Sequence, residues 1–299
     1  MRTITHGSIT WLDVVKPSDE DIATLSENYG FHPLILEEIK TPTYHPLLEV
    51  YEKYLVLILH FPHLNTETDR IEVVEVDFLI TKEALITVRY QSFSDFERFF
   101  EQTTEEDRGF AKTTGHLFHH IVKDMIKQTF PELDAIAKTI DELEDQIFDS
   151  IRDEDIEEIA HTKRKILDTL RALSPQASVW DAAQTTARQF WGDRMKPYTA
   201  DLIADYHRAL NVTQTHLDAL DAIHHTASSL LESRQNRIMK TLTIFTAVML
   251  PLTLVTSVYG MNVAKLPGAD NPMMFWWLVW SLLSMSVAIM SYFSFKRWL

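Results

Sequence analysis

The sequence predicts an α+β domain followed by long stalk helices and two C-terminal transmembrane helices. Three observations carry this fold class. Short strand-like and helix-like apolar patterns alternate up to about residue 130. A helical period takes over from about Gly115. Charge, spread through the first 240 positions, almost vanishes from the last 60 of the 299. The expected divisions are 1–130 for the α/β domain, 131–238 for the helical stalk region and 239–299 for the membrane domain, with spans at about 239–260 and 272–295.

The formal net charge is −15. Such a field repels nucleic acid and concentrates cations, so a nucleic-acid partner is not expected. It also keeps a protein body soluble. The chain has no cysteine, which excludes disulfides, thiolate metal sites and cysteine nucleophiles and suits a body facing a reducing cytosol. Met1 to Trp11 lacks a basic region followed by an apolar core, so no signal peptide is expected. There is no Gly-rich phosphate loop, nucleophile elbow or His-Glu-x-x-His motif. Neither an enzymatic activity nor an organic cofactor is expected.

In chain order, Ser8 to Asp13 reads as a strand leading to a turn at Pro17. Ser18 is placed to cap a helix running to about Asn28, with Asp21 as its capping partner. Pro33 opens a short helix, Leu34 to Ile39, and the two prolines of Thr41 to Pro46 make that stretch a loop. Tyr54 to His60 is nearly continuously apolar, as in a strand covered on both faces. Ile71 to Ile80 and Ala84 to Arg89 are the next strands. Ser92 to Glu101 is helical, with Phe93, Phe96 and Phe100 on one face. Helical stripes follow, with breaks expected at Phe130-Pro131, at Asp153-Glu154-Asp155 and at Ser174-Pro175, then a segment from about Ala177 to Trp191. The last helix of this region begins near Pro197. Running unbroken to Tyr259 at about 1.5 Å per residue, it would be roughly 95 Å long; Asn211 and Ser228-Ser229 are the places where it would break.

Thr241 to Ala264 and Asn271 to Phe295 contain no charged residue. Each exceeds the roughly 20 residues needed to cross a bilayer core. Trp276, Trp277, Trp280 and Tyr292 suit the membrane interface. Arg234, Arg237 and Lys240 precede the first span, and Lys296 and Arg297 follow the second, so both termini are expected in the cytoplasm of a multi-pass inner or plasma membrane protein. Asn236, Met239, Leu242 (or Thr243), Thr246, Leu250, Thr253 and Ser257 recur at spacings of three and four along the first span. That stripe suits either a pore lining or close helix-on-helix packing. Two spans cannot enclose a polar path, so conduction requires several copies around an axis. No carboxylate lies in either span, which favours a hydrated cation recognised through its waters, because magnesium loses water reluctantly. Met239, Leu242 and Leu250 would then be apolar constrictions. His119-His120 and His224-His225 are adjacent on helices and point roughly 100° apart, so neither pair is a natural chelate.

Asn236 to Ile244, Pro251-Leu252-Thr253, Tyr259-Gly260-Met261-Asn262 and the terminal Lys296-Arg297-Trp298-Leu299 resemble the CorA family of magnesium transporters, as does Glu49 to Leu55 in the soluble part. The resemblance implies a homopentameric funnel with a central pore from the first span, passing Mg²⁺ and also Co²⁺ or Ni²⁺ without ATP. It implies that Gly260, Met261 and Asn262 form an outer selectivity ring. It places Asn236, Met239, Leu242, Leu250, Thr253 and Ser257 toward the pore. It further implies that cytosolic Mg²⁺ is a regulator as well as the substrate, sensed by carboxylates, with Asp201 nearest the stalk position and Asp205 one turn further. Many relatives carry an acid just after the signature; here Lys265 and Asp270 occupy that loop. A zinc-transporting branch shares the scaffold, and the residues alone also fit a membrane-anchored stalk protein that transports nothing.

Overall fold

A computed structural model describes residues 1–43, 45–105, 113–149, 151–261 and 272–296. The chain forms two compact units, Met1–His224 and His225–Leu299.

The first unit is built on a six-stranded sheet in the order β1-β2-β6-β5-β4-β3. Its strands are β1 Arg2–His6, β2 Ile9–Val15, β3 Leu47–Val50, β4 Leu55–Asn65, β5 Arg70–Ile80 and β6 Ala84–Arg89. All neighbours are antiparallel except β2 and β6, which run parallel from Thr10↔Ala84 to Val15↔Arg89. The expected strands are present. The two edge strands β1 and β3, four or five residues each and only partly buried, had no apolar run to announce them.

The helices are α1 Asp19–Tyr29, α2 Pro33–Glu38, α3 Ser94–Glu105, α4 Thr114–Lys127, α5 Thr129–Asp149, α6 Asp153–Leu173, α7 Ala177–Trp191, α8 Lys196–Tyr259 and α9 Pro272–Phe295. Ser18 and Asp21 close the capping box at the start of α1, and Gly30 ends that helix in the left-handed conformation at φ 63°. The break expected at Phe130-Pro131 falls at Gln128, between α4 and α5, and Pro131 sits in the first turn of α5, where a missing N–H costs nothing. The Asp153-Glu154-Asp155 run is likewise a helix start, its acids placed at the positive end of α6. α8 runs 64 residues through Asn211 and Ser228-Ser229 without a break and carries Pro251 inside it.

Each sheet face has its own core. Trp11, Phe78 and Leu85 on one face meet Phe96 of α3, Leu117 and Ile121 of α4, Trp180 of α7 and Tyr206 of α8. On the other, Val56, Leu79 and Val88 meet Ile22 and Leu25 of α1 and Ile35 of α2. The expected boundary near residue 130 therefore lies inside one packed unit: Leu133, Leu173 and Leu202 belong to the same core as the sheet.

On one sheet face the buried charge is paired. Arg89, fully buried on β6, donates from Nε and Nη2 to the two oxygens of Asp13 at 3.0 and 2.7 Å and from Nη2 to Glu97 at 2.9 Å. Thr87 and Arg2 complete the shell of Asp13. On the other face, Tyr90 donates to buried Asp77 at 2.7 Å, and Glu75 accepts from the Thr43 amide at 2.7 Å and lies 2.9 Å from Nε2 of His60.

Candidate functional site

The second unit comprises the later part of α8 and all of α9. Both are long and apolar enough to cross a membrane, and almost nothing of their apolar stretches is buried within the chain. What burial exists is one-sided. On α8, Ile244 is only 8% exposed, and Ala247, Val248, Pro251, Leu252 and Val255 are half-buried. On α9 the less exposed residues are Met274, Leu278, Leu282, Met285, Ser286, Ile289 and Phe293, at helical spacing.

The stripe singled out by spacing lies elsewhere. Met239, Leu242 and Leu250 are 59%, 55% and 66% exposed, and Asn236, Thr246, Thr253 and Ser257 are exposed with them. At 3.6 residues per turn this stripe is centred roughly 140° round the helix from the half-buried set. It is therefore not a packing face within the chain. Thr246, Leu250, Thr253 and Ser257 line a broader concavity that also takes in Phe245, Met249 and Leu254, which lie to either side of the stripe.

Three threonines on this face share one geometry. Thr246 donates to the Leu242 carbonyl at 2.8 Å, Thr253 to Met249 at 2.8 Å, and Thr243 to Met239 at 2.7 Å. With the proton committed to the helix backbone four residues back, the oxygen presents only lone pairs outward. A row of such groups is a hydrogen-bond acceptor surface without charge. That is the complement of water molecules oriented around a cation, which point their protons away from the ion.

At the end of α8, the Gly260 amide donates to the Thr256 carbonyl at 2.8 Å, continuing the helical pattern. Gly260 is not among the residues with positive φ, so it does not end α8 in the left-handed conformation that Gly30 gives α1. A Cβ there would lie 3.1 Å from the Thr256 carbonyl oxygen, which favours glycine on space alone. Met261 follows and is exposed. Asn262, like Lys265 and Asp270, lies outside the described residues.

Asp201 and Asp205 sit on α8 within the first unit, on the face toward α4. Asp201 Oδ2 is bonded to Lys123 Nζ and lies 2.8 Å from His119 Nε2, while Lys123 also reaches Asp205 at 3.4 Å. Bonding to Lys123, and next to His119, holds the Asp201 carboxyl below its ordinary value. The two acids thus share an internal ammonium, a partner 78 residues away from Asp201 that no local pattern reveals. His119 and His120 meet edge to face at 5.5 Å rather than as a chelate. Among the described residues no group of three or more His, Asp or Glu side chains is arranged to hold a metal ion directly.

A family model described as CorA-like Mg2+ transporter protein matches residues 6–297. A cobalt/magnesium transport protein CorA of Thermotoga maritima is 23% identical over 97% of this chain and 83% of its own length. A divalent cation transporter CmaX of Pseudomonas aeruginosa is 24% identical over 96% of this chain and 86% of its own. In structure, the CorA magnesium transporter of Methanocaldococcus jannaschii superposes with a TM-score of 0.82 at 21% identity, covering 100% of this chain and 95% of that one.

Proposed function

The chain belongs to the CorA family of Mg²⁺ transporters, and from that premise we propose that it passes hydrated Mg²⁺, and with it Co²⁺ or Ni²⁺, down its gradient through a pore enclosed by five copies of α8. It is a divalent-cation transporter and not an enzyme. One observation carries the finer reading: the exposed face of α8 is charge-free and lined by threonine oxygens whose protons are already donated to the helix. A carboxylate pore would compete with water for the ion; a neutral acceptor surface lets the hydration shell pass intact. Two spans per chain cannot surround such a path, so identical α8 helices must face one axis.

In this reading Gly260, Met261 and Asn262 form the outer ring, with Asn262 offering amide oxygens to the ion's waters. Met239, Leu242 and Leu250 narrow the path below it, and Asn236, Thr246, Thr253 and Ser257 supply its polar lining. The basic residues Arg234, Arg237, Lys240 and Lys296 flank the spans on the cytoplasmic side of the cell membrane, which places both termini there.

Sensing of cytosolic Mg²⁺ by Asp201 and Asp205 carries a condition in this chain: the ion must displace the ammonium of Lys123. Lys123→Met is then expected to lower the cytosolic Mg²⁺ concentration that arrests flux, and an unchanged concentration would remove these two acids from the sensor.

The transport reading is tested with purified protein in vesicles loaded with a Mg²⁺-sensitive dye. Uptake above that of protein-free vesicles is expected, with Co²⁺ and Ni²⁺ competing. Absence of uptake, or a stable monomer or dimer in detergent, overturns it.

A further inference from the structure

The second unit runs against the charge of the chain. His225–Leu299 carries six Lys or Arg residues and two acids, Glu232 and Asp270, while the whole chain stands at −15. Three of the cations, Arg234, Arg237 and Lys240, are exposed on α8 just before its charge-free stretch begins at Thr241. Lys296 directly follows α9. α8 enters the apolar region where α9 leaves it, so these four cations mark one end of the two spans.

At 3.6 residues per turn the three α8 cations fall on one side of the helix, centred on Arg237. That direction lies within about 20° of the centre of the half-buried set Ile244, Ala247, Val248, Pro251, Leu252 and Val255, and roughly opposite the threonine stripe. The Lys296 amide still donates to the Tyr292 carbonyl, so α9 keeps its helical phase to that residue. Lys296 then falls within about 20° of the centre of the less exposed set running from Met274 to Phe293. Its ammonium lies 5.5 Å from the ring centre of Tyr292, so the side chain reaches back along α9 toward the apolar region. Glu232, the one acid among the described residues of this unit, lies on the stripe side of α8, roughly 140° from Arg237. The cations thus share a side that the acid does not. Like charges gathered there repel one another, and an anion among them relieves the repulsion.

Their position selects the anion. Arg234 to Lys240 covers about 9 Å of helix axis, little more than one headgroup layer beside the hydrocarbon core. Beyond Lys240 the same side of α8 is apolar from Ile244 to Val255. A phosphate at the cations with acyl chains along the spans matches both features, whereas a free phosphate uses only the first. Basic clusters bordering a span attract anionic lipid in just this way.

We propose that Arg234, Arg237, Lys240 and Lys296 form a headgroup site for an anionic phospholipid, on the side of α8 turned away from the threonine stripe. With five copies around that stripe the site faces the surrounding lipid; this orientation rests on the pore reading, and the binding itself does not. A lipid held there ties the start of the first span to the end of the second.

Thermal unfolding of the full chain in a neutral detergent tests this. Phosphatidylglycerol is added in one arm, phosphatidylcholine with the same acyl chains in a second, and inorganic phosphate in a third. The midpoint is expected to rise by several degrees, saturably, with phosphatidylglycerol and to stay unchanged in the other two arms. The triple variant Arg234→Gln, Arg237→Gln, Lys240→Gln should lose the rise, and Lys296→Gln should reduce it. Arg234→Lys with Arg237→Lys, which keeps the charge, should retain it. No rise, an equal rise with both lipids, a rise reproduced by phosphate, or one that persists in both Gln variants overturns the proposal. Transport is not the readout, so failure of Mg²⁺ uptake would leave a positive result standing.

Discussion

In the first unit, Arg89 and Asp13 lie fully buried within the sheet and bond to each other, with Arg2, Glu97 and Thr87 adding further bonds and the Phe96 ring 4.2 Å from the Arg89 guanidinium. In the second, the stretch of α8 from Thr241 to Tyr259 carries no ionised group at all, yet its outward face is lined with hydroxyl oxygens. Both regions must keep polar atoms away from bulk water at tolerable cost. The sheet does it by pairing charges, which roughly offsets the desolvation of each. The helix does it by tying each threonine proton to its own backbone, which leaves acceptors that need no counter-ion. A charge network suits a fixed body; a neutral acceptor row suits a surface past which an ion must move without being held.

The largest test of this contrast is Asn262→Ala. Vesicle Mg²⁺ uptake should fall to the protein-free level while the thermal unfolding of the purified protein stays unchanged; substantial uptake would separate the signature from the conduction path. Next comes Arg89→Met, which takes from buried Asp13 its buried cation and leaves it, with Glu97, to the partly exposed Arg2. A loss of about 3–5 kcal/mol is expected in denaturant unfolding, the range seen when one partner of a buried pair is removed. A cost under about 1 kcal/mol would mean that water or Arg2 replaces it.

Smaller is the effect of Thr246→Val or Thr253→Val, which keeps shape but removes one acceptor per subunit. Losing a hydrogen bond worth about 0.5–1.5 kcal/mol predicts roughly a 2-fold to 10-fold fall in uptake. Thr253→Ser, which retains the acceptor, should restore it; equal loss in Val and Ser variants would point to packing instead.

The smallest effects are in the pH dependence of stability, and the two sheet faces should differ in sign. Burial alone would raise Glu97, but bonds from Ser92, Arg89 and Arg2 take it from 4.5 to about 2. Its contribution is therefore present above the unfolded value and lost as pH falls from 4.5 toward 2, and Glu97→Gln should flatten that acid limb. Asp77 is pushed the other way by burial, only partly opposed by the Tyr90 bond, with Glu75 adding to the rise. Its contribution is complete below the ordinary carboxylate range and lost as pH rises, so Asp77→Asn should remove a loss on the alkaline side. Matching pH profiles for the two variants would show that the networks are not independent.

Local signals in the chain were strong where one element decides the outcome. The Ser18–Asp21 box, the strands β4, β5 and β6, the proline in the first turn of α2, the unbroken α8 and both spans follow from cap chemistry, apolar runs and the absence of breakers over a few residues. The α8 stripe was legible too, because helical spacing puts residues three and four apart on one face. It could not be told from a packing face until the exposure of Met239, Leu242 and Leu250 was set against the burial of Ile244. The edge strands β1 and β3 were missed for a related reason: an edge strand is half solvated and leaves no apolar run to read.

By itself, then, the sequence determined most of the helix and strand inventory of the core, the two C-terminal helices long and apolar enough to cross a membrane, the neutral character of the α8 face and the family resemblance. Those properties depend on residues near one another along the chain. Tertiary structure alone decided that Lys123 pairs with Asp201 and Asp205 and that Arg89 closes on Asp13 across 76 positions. Charge pairing and hydrogen-bond satisfaction are set by distances in space, and those distances exist only once the sheet has brought remote segments together.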